Sequence, residues 1–151
     1  MAQSLAKILV HIAFSTKNRV PYLRRTDIRR ELNSYLAGAL RELDSPAIIV
    51  GSVEDHVHAF CALSKNIAIC KLIEEMKKSS SKWMKTKSSD LHEFQWQNGY
   101  GAFSVSQSNA ASVRKYIQDQ EMHHRRMTFQ DEFRRLLEKH DVDYDERYVW
   151  D

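Results

Sequence analysis

The sequence predicts an α+β sandwich, and three observations carry that prediction. Three segments place apolar residues at every second position and a fourth is a β-branched run, two intervening segments place apolar residues at helical spacing, and together they follow the order β-α-β-β-α-β. That order is the ferredoxin-like or RRM-like one, a four-stranded antiparallel sheet with both helices on one face and the other face open. Two further helices are expected after the last strand.

The first strand is read over residues 5–15, where Ala6, Ile8, Val10, Ile12 and Phe14 alternate with Lys7, Leu9, His11, Ala13 and Ser15, so that the first set faces the core. After Pro21, Thr26 or Asp27 is the expected cap of a helix whose stripe is Ile28, Leu32, Leu36, Ala39, Leu40 and Leu43. Residues 47–53 and 56–63, joined by Glu54-Asp55, read as an antiparallel hairpin. Asn66 is the expected cap of the second helix, with the stripe Ile69, Leu72, Ile73 and Met76. The run Ser79-Ser80-Ser81 is expected to end or loosen it, with loop over most of the chain to Asn98. Residues 101–106 alternate as the fourth strand, and Asn109 opens a third helix. Thr128-Phe129-Gln130-Asp131 has capping-box spacing ahead of the stripe Phe129, Phe133, Leu136 and Leu137, and the tail from Asp141 is acidic.

At 151 residues the chain is the size of one ordinary domain, here expected to span 1–151. Six Phe, six Tyr and three Trp argue against disorder, and no apolar run approaches the ~20 residues of a bilayer span. Lys7 and His11 interrupt the best N-terminal apolar stretch, so the reading is a cytoplasmic protein. Cys61 and Cys70 are too few for a disulfide framework or a four-cysteine zinc site, and both are expected to be buried. Net charge is +3 but segregated: residues 1–89 hold 15 Lys/Arg against 8 Asp/Glu, and residues 90–151 hold 8 against 12. The seven lysines from Lys65 to Lys87 suit either a phosphate backbone or a solvated face.

His56 and His58, two apart on a strand, share one face opposite Val57, Ala59, Cys61 and Leu63, where they are either close enough to hold one metal ion or simply two surface histidines. Tyr116 and Gln120 lie four apart on the third helix beside Val113 and Ile117, a spacing that also suits a packing tyrosine and a solvated glutamine.

The His-hydrophobic-His motif, followed about sixty residues later by Tyr116-Ile117-x-x-Gln120 and His123-His124, closely resembles the single-tyrosine HUH transposases of small bacterial insertion sequences and their repeat-associated relatives. The likeness extends to Phe14-Ser15-Thr16-Lys17, the Phe129 to Leu137 helix and the closing residues 145–151. The resemblance implies that His56, His58 and Gln120 hold a divalent ion, that Tyr116 attacks a DNA phosphate, and that the helices after the sheet carry this nucleophile. A 5′-phosphotyrosine conserves the phosphodiester, so strand transfer follows more naturally than hydrolysis. Mg²⁺ prefers oxygen ligands and Mn²⁺ accepts imidazole more readily, so either ion suits.

The same resemblance implies single-stranded DNA hairpins as substrate, a homodimer, and a bacterial, nucleoid-associated location. Arg24, Arg25, Arg29, Arg30, Lys77, Lys78, Lys82 and Lys85 are candidate DNA contacts, and Trp83, Trp96 and Tyr100 either pack within the fold or stack on extruded bases. His11, on the same strand face as Leu9 and Ala13, is either a group that supports the ligands of the ion or a core or surface residue; His123 and His124 either support the site or cap their helix. The rival readings are an HUH replication initiator or relaxase-like nickase, which is usually longer, a noncatalytic RRM-like nucleic-acid module, and a zinc hydrolase.

Overall fold

Residues 2–151 are described by a computed structural model. The alternating segments form the expected antiparallel sheet from β1 (Leu9–Ser15), β2 (Ala47–Ser52), β3 (His56–Ala62) and β4 (Gly101–Val105), in the spatial order β2-β3-β1-β4. This is the ferredoxin-like arrangement, with β1 and β3 at the centre. Helices α1 (Thr26–Glu42) and α2 (Ile69–Met84) cover the face that carries Val10, Ile12 and Phe14. Ile28, Leu32, Leu36 and Leu40 of α1 are buried there, each stabilising the fold by roughly 1.5–3 kcal/mol relative to exposure.

The opposite face is covered, contrary to expectation. Helices α3 (Ala110–Gln118), α4 (Gln120–Arg126) and α5 (Phe129–Lys139) return across it and bury Leu9, Ala13, Phe60 and Phe103 against Ile117, Phe129 and Phe133. β1 is therefore buried along both faces. The register sets up this covering: Ala13 pairs with His58 and with Gly101, and Gly51 pairs with His58, so Gly51, His58, Ala13 and Gly101 form a row across all four strands. Small residues flank the imidazole on both sides. A Cβ on Gly51 would stand 2.9 Å from Ile117 Cγ2, and one on Gly101 would stand 2.5 Å from Phe133 Cε1. The missing side chains are what lets α3 and α5 settle beside His58.

Several local expectations are corrected. β1 starts at Leu9, leaving Ala6 and Ile8 outside it and exposed. Arg25 occupies the N-cap of α1, so neither Thr26 nor Asp27 caps it, and α2 starts after Ala68 rather than at Asn66. The serine run continues α2, because the Ser79 and Ser80 hydroxyls donate to the Glu75 and Met76 carbonyls at 2.8 and 2.6 Å and so do not compete for the backbone outside the helix. The loop after α2 is anchored by buried Leu91, Phe94 and Trp96, and Trp96 Nε1 donates to Ser80 Oγ at 2.9 Å. Cys61 is buried but Cys70 is exposed. Thr128 caps α5 as its spacing predicts, accepting from the Asp131 N–H at 3.2 Å. The tail folds back, with Trp150 between Arg19 and Arg134 and the Asp151 carbonyl accepting from the Gly99 N–H at 2.8 Å. Among the described residues no helix is long and apolar enough to cross a membrane.

Candidate metal and nucleophile site

Period-two geometry turns His56 and His58 toward α3–α5, where both are buried. Tyr116 and Gln120 reach the same place from above, though not on one helix. The chain breaks at Asp119 (φ −92°, ψ 19°), so Tyr116 belongs to the last turn of α3 and Gln120 opens α4. A fifth group, to which no sequence motif points, joins them from α5. Glu132 is buried on the apolar stripe of Phe129, Phe133 and Leu136. That placement was the available signal, since a carboxylate on a buried stripe needs partners.

The side chains converge on the Glu132 carboxylate. Its Oε1 lies 2.9 Å from His58 Nε2 and 3.1 Å from His56 Nε2. The Gln120 amide nitrogen lies 3.0 Å from Glu132 Oε2 and 3.0 Å from His56 Nε2. The Tyr116 hydroxyl donates to Glu132 Oε2. Behind this ring, His56 Nδ1 faces Asp55 Oδ1 at 2.7 Å and His58 Nδ1 faces His11 Nε2 at 2.8 Å. The Tyr116 ring stacks on His123 at 4.4 Å, and His124 reaches Glu54 at 3.3 Å.

Burial and mutual charge separate the protonation states. Burial, reinforced by the charge of His58, lowers His11 to about 3 and keeps it neutral. Burial also lowers His58. For His56 burial acts the same way, but the hydrogen bonds and negative charges of Asp55 and Glu132 outweigh it and the imidazole is raised. Burial alone would raise Glu132, yet hydrogen bonds from His56 and His58 hold it well below the usual carboxylate range. Burial, with the Glu132 charge next to it, pushes the Tyr116 phenol up, so in this state it is protonated.

The donor chemistry fits a divalent ion. His56, His58 and Glu132 offer ligand atoms within 4.8 Å of one another. Their separations of 2.9 and 3.1 Å match the roughly 3.0 Å edge of an octahedron with bonds near 2.1 Å. Gln120 Oε1 is buried without a hydrogen-bond partner, and reversing the amide turns that oxygen toward the same centre. Asp55 on His56 Nδ1 leaves Nε2 as the ligating atom, and a cation on His58 Nε2 would have Nδ1–H donate to neutral His11.

The basic residues sit elsewhere and differ in availability. Arg24, Arg30, Lys78, Lys82 and Lys85 are exposed. Arg25 is exposed but paired with Asp27 at 2.7 Å. Arg29 is held by the Leu23 and Arg24 carbonyls at 2.8 and 2.9 Å and by Glu121 at 3.1 Å, tying α1 to α4. The Lys77 ammonium donates to the carbonyls of Gln97, Asn98 and Gly99 at 2.8, 3.1 and 2.6 Å, and burial lowers it to about 8. Lys17, Lys78, Lys85 and Tyr100 line a cleft of about 560 Å³ beside α2. Of the three aromatic residues, Trp96 is buried and Trp83 stacks on Tyr35 at 4.8 Å, while Tyr100 is exposed.

A family model described as "Transposase IS200 like" matches residues 4–120. Among solved structures, a candidate transposase from Deinococcus radiodurans R1 is similar over 80% of this chain and 95% of its own, with TM-score 0.62 and 19% identity. A REP-associated tyrosine transposase bound to a REP hairpin is similar over 82% of this chain and 73% of its own, with TM-score 0.60 and 15% identity. No curated protein matches the sequence.

Proposed function

The chain belongs to the IS200-like transposase family, and from that premise we propose that it cuts and rejoins single-stranded DNA beside hairpins through a covalent tyrosine link. Tyr116 is the nucleophile, and His56, His58 and Gln120 hold Mg²⁺ or Mn²⁺. The observation that carries this reading is convergence: a phenol, two imidazoles and an amide from β3, α3 and α4 meet in one buried place around Glu132. A hairpin substrate is supported by the hairpin-bound structural neighbour. An RRM-like module, by contrast, needs an open sheet face, and here α3–α5 cover it.

What a bound divalent ion supplies there is polarisation of the phosphate oxygens and orientation of the ester for in-line displacement. The Tyr116 oxygen forms a bond to phosphorus as the bond from phosphorus to the 3′ oxygen breaks. The phenol gives up its proton and the departing oxygen becomes a 3′-hydroxyl. The phosphodiester is conserved, so attack by a 3′-hydroxyl on the phosphotyrosine reverses the step without ATP. His123, stacked on the ring, restricts where the hydroxyl points. His11 and Asp55 orient the two imidazoles. Exposed Arg24, Arg30, Lys78, Lys82 and Lys85 supply backbone contacts. One domain spanning the chain acts as a homodimer, with the β2 and β4 edges open to pairing.

Incubating the protein with a labelled single-stranded hairpin and Mn²⁺ is expected to give an adduct that survives a denaturing gel. Tyr116→Phe gives none, while Phe variants of Tyr22, Tyr35, Tyr100, Tyr144 and Tyr148 still form it. An adduct that persists in Tyr116→Phe, or that maps to another tyrosine, overturns the assignment. A monomer mass by light scattering with cleavage intact overturns the homodimer.

A further inference from the structure

We infer that Glu132 is a further ligand of the divalent ion and that the same carboxylate ties that ion to the nucleophile, Oε1 facing the metal and Oε2 holding the Tyr116 hydroxyl. The inference rests on the proposed ion site and concerns a residue beyond the stretch, residues 4–120, that the family model matches.

The two oxygens of Glu132 already face different partners. Of the two, Oε1 is the one that faces both imidazole Nε2 atoms, at 2.9 and 3.1 Å, while Oε2 accepts the hydrogen bond of the Tyr116 hydroxyl. The separations at Oε1 are those of neighbouring donors around a small octahedral ion, so a cation can join the histidines to Oε1 while Oε2 stays on Tyr116. Charge points the same way. Two imidazoles and an amide are neutral as ligands, and a dication buried among them alone would have no neutralising charge beside it. Glu132 supplies one negative charge from within the buried cluster. A purely structural role does not require this position. A buried carboxylate is satisfied by any set of donors, whereas the partners of Glu132 are the two imidazoles, the amide and the phenol of the proposed site, His56, His58, Gln120 and Tyr116.

α5 explains how the placement is held. Phe129 and Phe133 anchor it to the sheet on either side of Glu132, with Phe133 seated against Gly101 and the Phe129 ring tilted against the His56 ring at 4.7 Å between centroids. The segment that completes the nucleophile's surroundings thus comes from the C-terminal helix. Tyr116 and the ion site cannot shift independently while one carboxylate spans both.

The test measures Mn²⁺ binding to the full chain by electron paramagnetic resonance, and the ultraviolet difference signal of Tyr116 on adding Mn²⁺, taken as wild type minus Tyr116→Phe. Wild type is expected to bind Mn²⁺ with a tyrosine difference signal. Glu132→Gln, nearly isosteric, should bind about 10- to 100-fold more weakly and give no Tyr116 signal even at saturation. Glu132→Asp keeps the charge on a shorter arm, so it should bind Mn²⁺ more tightly than Glu132→Gln while still losing the Tyr116 signal. If His58→Ala abolishes Mn²⁺ binding and Glu132→Gln binds like wild type, the inference falls and the proposed ion site stands. If wild type binds no Mn²⁺, both fall. Weakened binding with the Tyr116 signal intact overturns the link between ion and nucleophile.

Discussion

Replacing His11 by Phe should make the stability curves of variant and wild type cross as the pH is lowered. His11 is buried, its Nε2 lies 2.8 Å from His58 Nδ1, and its folded-state value is about 3 against an ordinary 6.5. Near neutral pH the substitution leaves the buried Nδ1 of His58 unpaired, a loss of about 1–3 kcal/mol. Acid reverses the balance. Because the folded value is depressed, the unfolded chain binds more protons between about pH 6.5 and 3, so this residue's contribution to stability rises with pH across that window and is lost as pH falls. At pH 4 the wild type has given up about 3 kcal/mol through His11 alone, a loss the phenylalanine variant does not suffer. The variant should therefore be the less stable protein at pH 7 and the more stable one at pH 4, with the crossing near pH 5. Urea unfolding followed by tryptophan fluorescence, in chelator-treated protein at half-unit pH steps, measures this directly. Parallel curves from pH 7 to 4 would refute the assignment of His11 as a neutral, buried partner of His58.

Replacing exposed Lys78, Lys82 and Lys85 together by Ala should weaken hairpin binding and lower the slope of log affinity against log salt by about 2–3, measured by fluorescence anisotropy; superimposable titrations would leave these lysines as a solvated face. Gly101→Ala should destabilise by about 1–3 kcal/mol in chemical denaturation, because the new Cβ meets Phe133 at 2.5 Å and Phe103 at 3.0 Å, and an unchanged midpoint would show that α5 has room to retreat.

Alternation in β1, β3 and β4 and the stripes of α1 and α5 were readable because each is a local period set by which face is buried, and these periods are enough to imply the sheet and the helices behind it. His56-Val57-His58 was readable for the same reason, since period two alone puts both imidazoles on one side. Local pattern also misled: the serines of α2 bond back into their own helix, and the four-residue spacing of Tyr116 and Gln120 conceals a break at Asp119. The covering of the second face was beyond reach of any local period. It depends on a register that lines up Ala13, Gly51 and Gly101 around His58, three residues that follow one another at 38 and 50 positions along the chain and meet only through strand pairing. Glu132 is the sharpest case. Its position on an apolar stripe announces a buried charge, but the identity of its partners was decided only when α5 folded back over the sheet, because long-range packing and not sequence spacing determines which groups a buried carboxylate meets.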